Sequence, residues 1–113
     1  MAAPIPGEWK RAVLAILKEG HSKRIEVRLQ AVKDFQALFP GAFTYEIYDA
    51  FSEGLNRPDL EGNRVYGMVP KGETYEFIFN HRKKDLYGKV CLTTDGRVVV
   101  VFSAHEPRKG SKL

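Results

Sequence analysis

The sequence predicts an α+β domain in which N-terminal helices pack on one face of a four-stranded antiparallel sheet. In roughly the first half of the chain, apolar residues recur at the spacing of an amphipathic helix, and from Arg64 onward they alternate with a period of two. Short links containing Gly, Pro or Asp separate the alternating segments, which favours an antiparallel meander. Helices followed by a run of strands are typical of an α+β fold whose sheet is covered on one face and partly open on the other.

Length and composition indicate one folded domain. The chain has 113 residues, 43% of them apolar and 12% aromatic, which is typical of a globular protein and too short for two domains. We expect a helical part at about 8–57, a sheet part at about 64–105 and a mobile basic tail at 107–113. The single cysteine, Cys91, cannot form an internal disulfide and indicates a reducing compartment.

Three helices are predicted in the helical part. The first covers residues 8–19 and ends at Gly20. The second covers about 29–38 after a short extended segment, and the third begins after a Thr44 cap. Their apolar faces consist of Trp9, Val13, Ile16 and Leu17, of Leu29, Val32, Phe35 and Phe39, and of Ile47, Phe51 and Leu55.

Four strands are predicted in the sheet part, at Val65–Val69, Thr74–Asn80, Leu86–Leu92 and Val98–Ala104. In the last hairpin, a two-residue turn would pair Leu86 with His105, whereas a three-residue loop with Gly96 in the left-handed conformation would pair Tyr87 with Ser103. We favour the second register because it separates polar from apolar side chains. One face then carries Tyr87, Lys89, Ser103 and His105, and the other carries Leu86, Val90, Leu92, Val98, Val100 and Phe102.

Positive charge is concentrated in the last third of the chain. Residues 81–113 hold eight Lys and Arg against three Asp and Glu, whereas residues 1–80 hold ten against eleven. Clustered cations release counterions when they bind phosphates, so this distribution is typical of a protein that binds a polyanion. Nucleic acid is the favoured ligand class, and a solvated basic rim without a ligand is the alternative.

Several familiar catalytic and targeting motifs are missing from the sequence. It contains no phosphate-binding glycine loop, no His-Glu-x-x-His, no carboxylate cluster suited to a divalent metal and no nucleophile-elbow serine. We therefore expect no metal and no cofactor. No apolar stretch approaches the roughly 20 residues of a membrane span, and residues 1–7 lack the features of a secretory signal. We expect a cytoplasmic protein that does not associate with a membrane.

The remaining chemistry-bearing residues suit cleavage of RNA without a metal. That reaction needs a base for the ribose 2′-hydroxyl, cations at the phosphate and an acid for the departing 5′-oxygen. His105 is the best candidate for the acid or base, because histidine titrates near neutral pH. Lys89 can hold the phosphate, and Tyr87 can orient the 2′-hydroxyl or share in proton transfer. The predicted catalytic residues are His105, Tyr87, Lys89 and Glu76, and the predicted RNA-binding residues are His81, Arg82, Lys83, Lys84, Arg108 and Lys109.

Segments along most of the chain resemble the MqsR branch of the RelE-like toxin ribonucleases. They are Ala15–Gly20, a basic extended step through Arg24 and Arg28, Tyr75-Glu76-Phe77, Leu86–Val90 and Val98–Ser103. In this resemblance, Tyr87 matches the family's active-site tyrosine and Lys89 matches the lysine two positions on. Glu76 stands where the family motif carries glutamine, and Met68 stands near the position of a catalytic lysine. His105 has no counterpart in that branch, although some other RelE-like toxins end the last strand with a catalytic histidine.

The resemblance implies a compact endoribonuclease with a RelE/MqsR-like α+β fold, which cleaves messenger RNA and is neutralised by a cognate antitoxin. We therefore predict a metal-independent toxin that cleaves single-stranded RNA or mRNA, on or off the ribosome, by attack of the 2′-hydroxyl. Two alternatives stay open: a non-catalytic nucleic-acid-binding module, and an antitoxin or immunity domain whose basic face binds another protein. Catalysis requires His105 and Tyr87 within reach of a common phosphate, whereas binding needs only the cations.

Overall fold

The described part of the protein is an α+β fold with three helices and a six-stranded mixed sheet. The computed structural model describes residues 2–20 and 23–108. The strand order across the sheet is β1-β3-β4-β5-β6-β2. The predicted α+β class is confirmed, whereas the prediction of a four-stranded, fully antiparallel sheet is wrong. The elements in chain order are β1 (Ala3–Pro4), α1 (Gly7–Leu17), β2 (Ile25–Val27), α2 (Leu29–Leu38), α3 (Tyr45–Leu55), β3 (Glu61–Val65), β4 (Gly72–His81), β5 (Lys84–Thr93) and β6 (Val99–His105).

The two strands that are absent from the four predicted ones are short and lie at the edges of the sheet, and β2 occupies the short extended segment expected before α2. β1 pairs antiparallel with β3, and β2 pairs parallel with β6, where Ile25 lies opposite Val99. These strands contain only two and three residues, which is too few for an alternating pattern to identify them. The parallel pairing also joins segments that are far apart in the chain, so no turn sequence indicates it.

The strand predicted at Val65–Val69 is misplaced, because β3 covers Glu61–Val65 instead. Gly67 has a positive φ of 78°, and Pro70 has no N–H to donate, so the chain leaves the strand pairing after β3. Glu, Gly and Asn are uncommon in strands. The segment that does form β3 therefore has no recognisable strand pattern.

The loop at residues 66–71 covers one end of the sheet face that lies opposite the helices. The Pro70 carbonyl oxygen is 3.9 Å from the Cys91 sulfur, and Thr74, which lies opposite Cys91 on β4, is also buried. Beyond the loop, the side chains on this face are only half-buried. We call this region the open face, and it carries Asn63, Glu76, Ile78, Tyr87, Lys89, Ser103 and His105.

Near the turn the β5–β6 hairpin follows the register of the two-residue turn, so the favoured register, with Tyr87 opposite Ser103, is wrong. Near the turn Val90 lies opposite Val101, and farther along Tyr87 lies opposite His105. A bulge between these two stretches leaves Phe102 as an extra residue of β6. The four polar residues therefore share a face as predicted, but the predicted apolar set is wrong. The residues of β6 that join the helix-side core are Val99, Val101 and Ala104, and not Val98, Val100 and Phe102.

The helices lie close to their predicted positions, because their periodicity is a local property of the sequence. Two details differ. Leu29, predicted on the apolar face of α2, is 68% exposed at the first position of the helix. Thr44 makes no side-chain cap on α3. The Glu46 carboxylate instead accepts a 2.6 Å hydrogen bond from the Phe43 N–H, just before the helix.

Gly88 allows α3 to pack closely on the sheet beneath the open face. A Cβ atom at this position would overlap the Phe51 ring and lie 3.1 Å from Phe77. Both rings are fully buried and meet edge to face, with centroids 6.0 Å apart. Gly88 lies between Tyr87 and Lys89 in β5, so the packing of α3 fixes the strand that carries both side chains.

We expect Gly88→Ala to lower the free energy of unfolding by about 1–3 kcal/mol, because the added methyl group overpacks the core at Phe51. Gly7→Ala is the matched control: its new Cβ meets only the flexible Arg11 side chain, and alanine favours the helix. Urea unfolding followed by circular dichroism measures both variants. Equal stability of the two would contradict close packing of α3 on β5.

Candidate active site

Three adjacent strands bring Glu76, Tyr87 and His105 together on the open face. The Tyr87 hydroxyl donates a 2.6 Å hydrogen bond to Glu76 Oε1. The rings of Tyr87 and His105 stack, with centroids 4.8 Å apart and planes inclined by 24°. All three side chains are half-buried. The cluster is therefore oriented by its own contacts and remains accessible to a ligand.

The hydrogen bond of His105 determines which ring nitrogen is available. Nδ1 lies 2.7 Å from the carbonyl oxygen of Glu106. Because a carbonyl oxygen can only accept, Nδ1 carries the proton in this contact, and Nε2 of the neutral ring is an acceptor. The stack on Tyr87 also fixes the plane of the ring. His105 is therefore held in a tautomer that can take a proton through Nε2.

The surroundings of Tyr87 keep its hydroxyl protonated. Burial raises the pKa of Tyr87 well above its ordinary value, and the hydrogen bond to Glu76 and the charge of that carboxylate raise it further. The positive charge of Arg108 acts in the opposite direction. At neutral pH this hydroxyl is consequently a proton donor and not a phenolate.

A row of polar residues crosses four strands beside this cluster. Asn63 lies opposite Glu76, Glu76 opposite Lys89, and Lys89 opposite Ser103. Directly opposed residues have Cβ atoms about 4.5–5.5 Å apart, and Lys89 shares the face of Tyr87 two positions along β5. The Lys89 side chain thus shares the face of the proton-transfer groups, from where its ammonium group can stabilise negative charge on a phosphate.

Arg108 supplies a second cation near the cluster. It is exposed, and its charge acts on the Tyr87 hydroxyl. Lys109, the other basic residue predicted in the tail, lies outside the described residues, as does the rest of the predicted mobile tail from 110 to 113.

The basic hairpin tip between β4 and β5 is bound to the helices. Arg82 and Lys83 both have positive φ, 50° and 67°, so they form a tight turn. Arg82 donates a 2.9 Å hydrogen bond to Glu46 on α3, and Lys84 Nζ donates one of 2.9 Å to the Leu38 carbonyl at the end of α2. Lys83 is exposed. The structure therefore separates Arg82 from the Tyr87–His105 pair.

His81, predicted to bind RNA, is instead part of the helix-side packing. It is only 9% exposed, and its ring meets Phe39 edge to face at a centroid distance of 5.2 Å. Its Nδ1 lies 3.3 Å from Glu53 Oε2 on α3. The structure does not bring His81 together with Tyr87 and His105.

Two adjoining recesses lie between the end of β6 and α2. One, of about 270 Å³, is lined by Asp34, Ala37, Leu38, His105 and Glu106. The other, of about 460 Å³, is lined by Leu38, Lys83, Lys84, Asp85, Glu106 and Pro107. Because two residues line both, the recesses adjoin, with His105 at one of them and Lys83 and Lys84 at the other. Carboxylates line them as well, so the positive charge there is partly balanced.

Sequence reasoning missed two residues of this surface, Asn63 and Arg28. Asn63 was missed because β3 was placed too late in the chain. Arg28 was missed as a site residue because its position beside β6 depends on the parallel β2–β6 pairing. Recognising either residue would have required the strand pairing, which no local pattern gives.

Comparison with known proteins finds no matching family model, no matching curated protein and no matching solved structure. The resemblance to the MqsR branch therefore stays a prediction from the sequence. No helix in the described ranges is long and apolar enough to cross a membrane. Among the same residues, His, Cys, Asp and Glu side chains form no group of three or more that could hold a metal ion.

We expect a phenolate transition well above pH 10 in the wild type that is missing in Tyr87→Phe, because the pKa of Tyr87 is raised from its ordinary value of 10. The folded protein holds this proton more tightly than the unfolded chain does. Its stabilising effect is therefore complete below pH 10 and is lost as the pH rises through the folded-state pKa.

Near-ultraviolet absorbance during alkaline titration measures the phenolate transition, and unfolding at a series of alkaline pH values measures the loss of stability. Tyr87→Phe should lose less stability than the wild type over this range. An equally steep loss in both proteins would contradict the raised pKa.

Proposed function

We propose that this protein is a metal-independent endoribonuclease, the toxin of a toxin–antitoxin system, which cleaves single-stranded RNA or mRNA. The proposal rests on the cluster of Glu76, Tyr87 and His105 on the open face, with Lys89 in the adjacent row. RNA cleavage through the 2′-hydroxyl requires a proton acceptor, a proton donor and a cation around one phosphate. This cluster offers all three.

In the proposed mechanism His105 is the general base and Tyr87 the general acid. Nε2 of His105 takes the proton of the 2′-hydroxyl, the 2′-oxygen bonds to phosphorus, and the bond from phosphorus to the 5′-oxygen breaks. Tyr87, which is protonated at neutral pH, gives its proton to the departing oxygen. Exchange with water restores both groups, and the products carry a 2′,3′-cyclic phosphate and a 5′-hydroxyl.

Three charged side chains near the acid and the base also contribute to the proposed reaction. Lys89 and Arg108 stabilise the negative charge that builds up on the phosphorane oxygens, where a fixed cation is most effective. Glu76 accepts the hydrogen bond of the Tyr87 hydroxyl and so orients it before the substrate arrives. When RNA binds, the 5′-oxygen replaces Glu76 as the acceptor of this proton.

The proposal includes two further elements. The RNA strand extends from the recess at His105 along the adjoining recess that Lys83 and Lys84 line, where the two cations neutralise phosphates. A ribonuclease that acts in the cytoplasm also degrades the messages of its own cell. A cognate antitoxin, the partner implied by the resemblance, would therefore control it.

We expect the purified protein to cleave single-stranded RNA in the presence of EDTA and to leave 2′,3′-cyclic phosphate ends, because side chains alone supply the acid and the base. Mass spectrometry of the fragments identifies these ends. DNA of the same sequence is the matched control and should stay intact, since it has no 2′-hydroxyl. Cleavage that appears only after a divalent metal is added would reject the mechanism.

We expect His105→Ala to lower the cleavage rate by about 10²-fold or more, the usual contribution of a general acid or base. RNA affinity should change little, because His105 acts after the substrate is bound. Single-turnover rates on the folded fraction, RNA affinity and melting temperature are measured together. A full cleavage rate in this variant would remove His105 from the mechanism, and RNA binding without cleavage in the wild type would favour a binding module.

A further inference from the structure

Arg28 lies on the open face although it belongs to the N-terminal part of the chain. Its backbone N–H donates a 3.0 Å hydrogen bond to the Val101 carbonyl oxygen, which extends the parallel β2–β6 pairing by one residue beyond Val27. Val27 packs against the helix-side core. Because successive side chains of an extended strand point to opposite faces, the Arg28 side chain points to the open face.

The Arg28 guanidinium is held in place by three contacts. Its central carbon lies 5.3 Å from the centroid of the Phe102 ring. Nη1 is 3.1 Å from Glu26 Oε2, and Nη2 donates a 3.4 Å hydrogen bond to the Val69 carbonyl oxygen. The side chain nevertheless keeps 43% of its surface exposed. A guanidinium has five N–H donors in a fixed plane, so these contacts orient it without using all its donors.

Arg28 and the proposed active site are close enough to contact one RNA strand. Ser103, the residue after Phe102, lies opposite Lys89. Neighbouring strands are about 4.8 Å apart, so two strand spacings, roughly 10 Å, separate Arg28 from Lys89. The bulge that turns His105 towards Tyr87 also provides Phe102 as the support of the guanidinium. The bulge in β6 thus positions both His105 beside Tyr87 and Phe102 beside Arg28.

We propose that Arg28, supported by Phe102, forms a second nucleotide subsite for single-stranded RNA. The base stacks on the exposed side of the guanidinium, opposite the Phe102 ring, and the remaining edge N–H groups bind a phosphate of the nucleotide next to the cleaved linkage. The subsite rests on the proposed ribonuclease function. It assigns the β2 edge of the open face to substrate binding, whereas a purely structural Arg28 would only tie the loop at residues 66–71 to β2.

The experiment measures binding separately from cleavage. A fluorescent single-stranded RNA whose riboses are all 2′-O-methylated cannot be cleaved through the 2′-hydroxyl, and fluorescence anisotropy gives its affinity over a range of salt concentrations. Three variants are compared with the wild type: Arg28→Gln, Arg28→Lys and Arg11→Gln. Arg11 is exposed on α1, so its replacement controls for the loss of one positive charge elsewhere. Thermal melting verifies that each variant is folded.

We expect Arg28→Gln to weaken binding by about fivefold or more, since one stacked base contributes at least that much. The slope of log affinity against log salt should fall by about 0.7, the value for one phosphate contact of a single strand. Arg28→Lys should keep the slope but lose the part of the affinity that stacking contributes, because an ammonium group offers no plane for stacking. Arg11→Gln should bind like the wild type.

If Arg28→Gln binds RNA with the affinity and salt slope of the wild type, the subsite is overturned. An equal loss of RNA affinity in Arg11→Gln would overturn it as well. A wild type that binds the methylated RNA through Arg28 but does not cleave unmodified RNA would support the subsite and reject the ribonuclease. A wild type that does not bind the methylated RNA would overturn the subsite alone if it still cleaves unmodified RNA, and both proposals if it does not.

Discussion

The bulge at Phe102 is the local feature on which the candidate site depends. If the register near the turn, with Val90 opposite Val101, continued to the end of β6, Ala104 and not His105 would lie beside Tyr87. His105 would then point into the apolar helix-side core, where a buried imidazole without a partner is unfavourable. One extra residue in β6 therefore places the histidine on the polar face, and the ring stack with Tyr87 follows from it.

The other face of β5 determines how firmly this arrangement is held. Gly88 admits the Phe51 ring of α3 directly against the strand, between the positions of Tyr87 and Lys89. Phe51 is fully buried and contacts both Phe77 and Phe79 edge to face. The strand that presents the polar side chains is thus fixed from behind by a close-packed aromatic core. Functional groups on such a support lose little conformational freedom when a ligand binds.

Local patterns predicted the parts of the structure that local interactions determine. The helix positions and the polar face with Tyr87 and Lys89 follow from periods of 3.6 and 2. The edge strands, the bulge and the place of Arg28 depend on pairing between distant segments, which periodicity does not describe. His81 is a different case. It continues the alternation of Phe77 and Phe79 on the helix side, so its face was predictable, but its basic neighbours suggested a surface role.

The pairing of β2 with β6 also ties the candidate site to a distant part of the described chain. β2 lies early among the described residues, whereas its partner residues Val99–Val101 lie much later. Contacts so distant in sequence form only after the loop-closure entropy of the intervening chain has been overcome. The same strand, β6, brings His105 to Tyr87. The Tyr87–His105 pair therefore belongs to a strand that is held on both sides only when the whole sheet has closed.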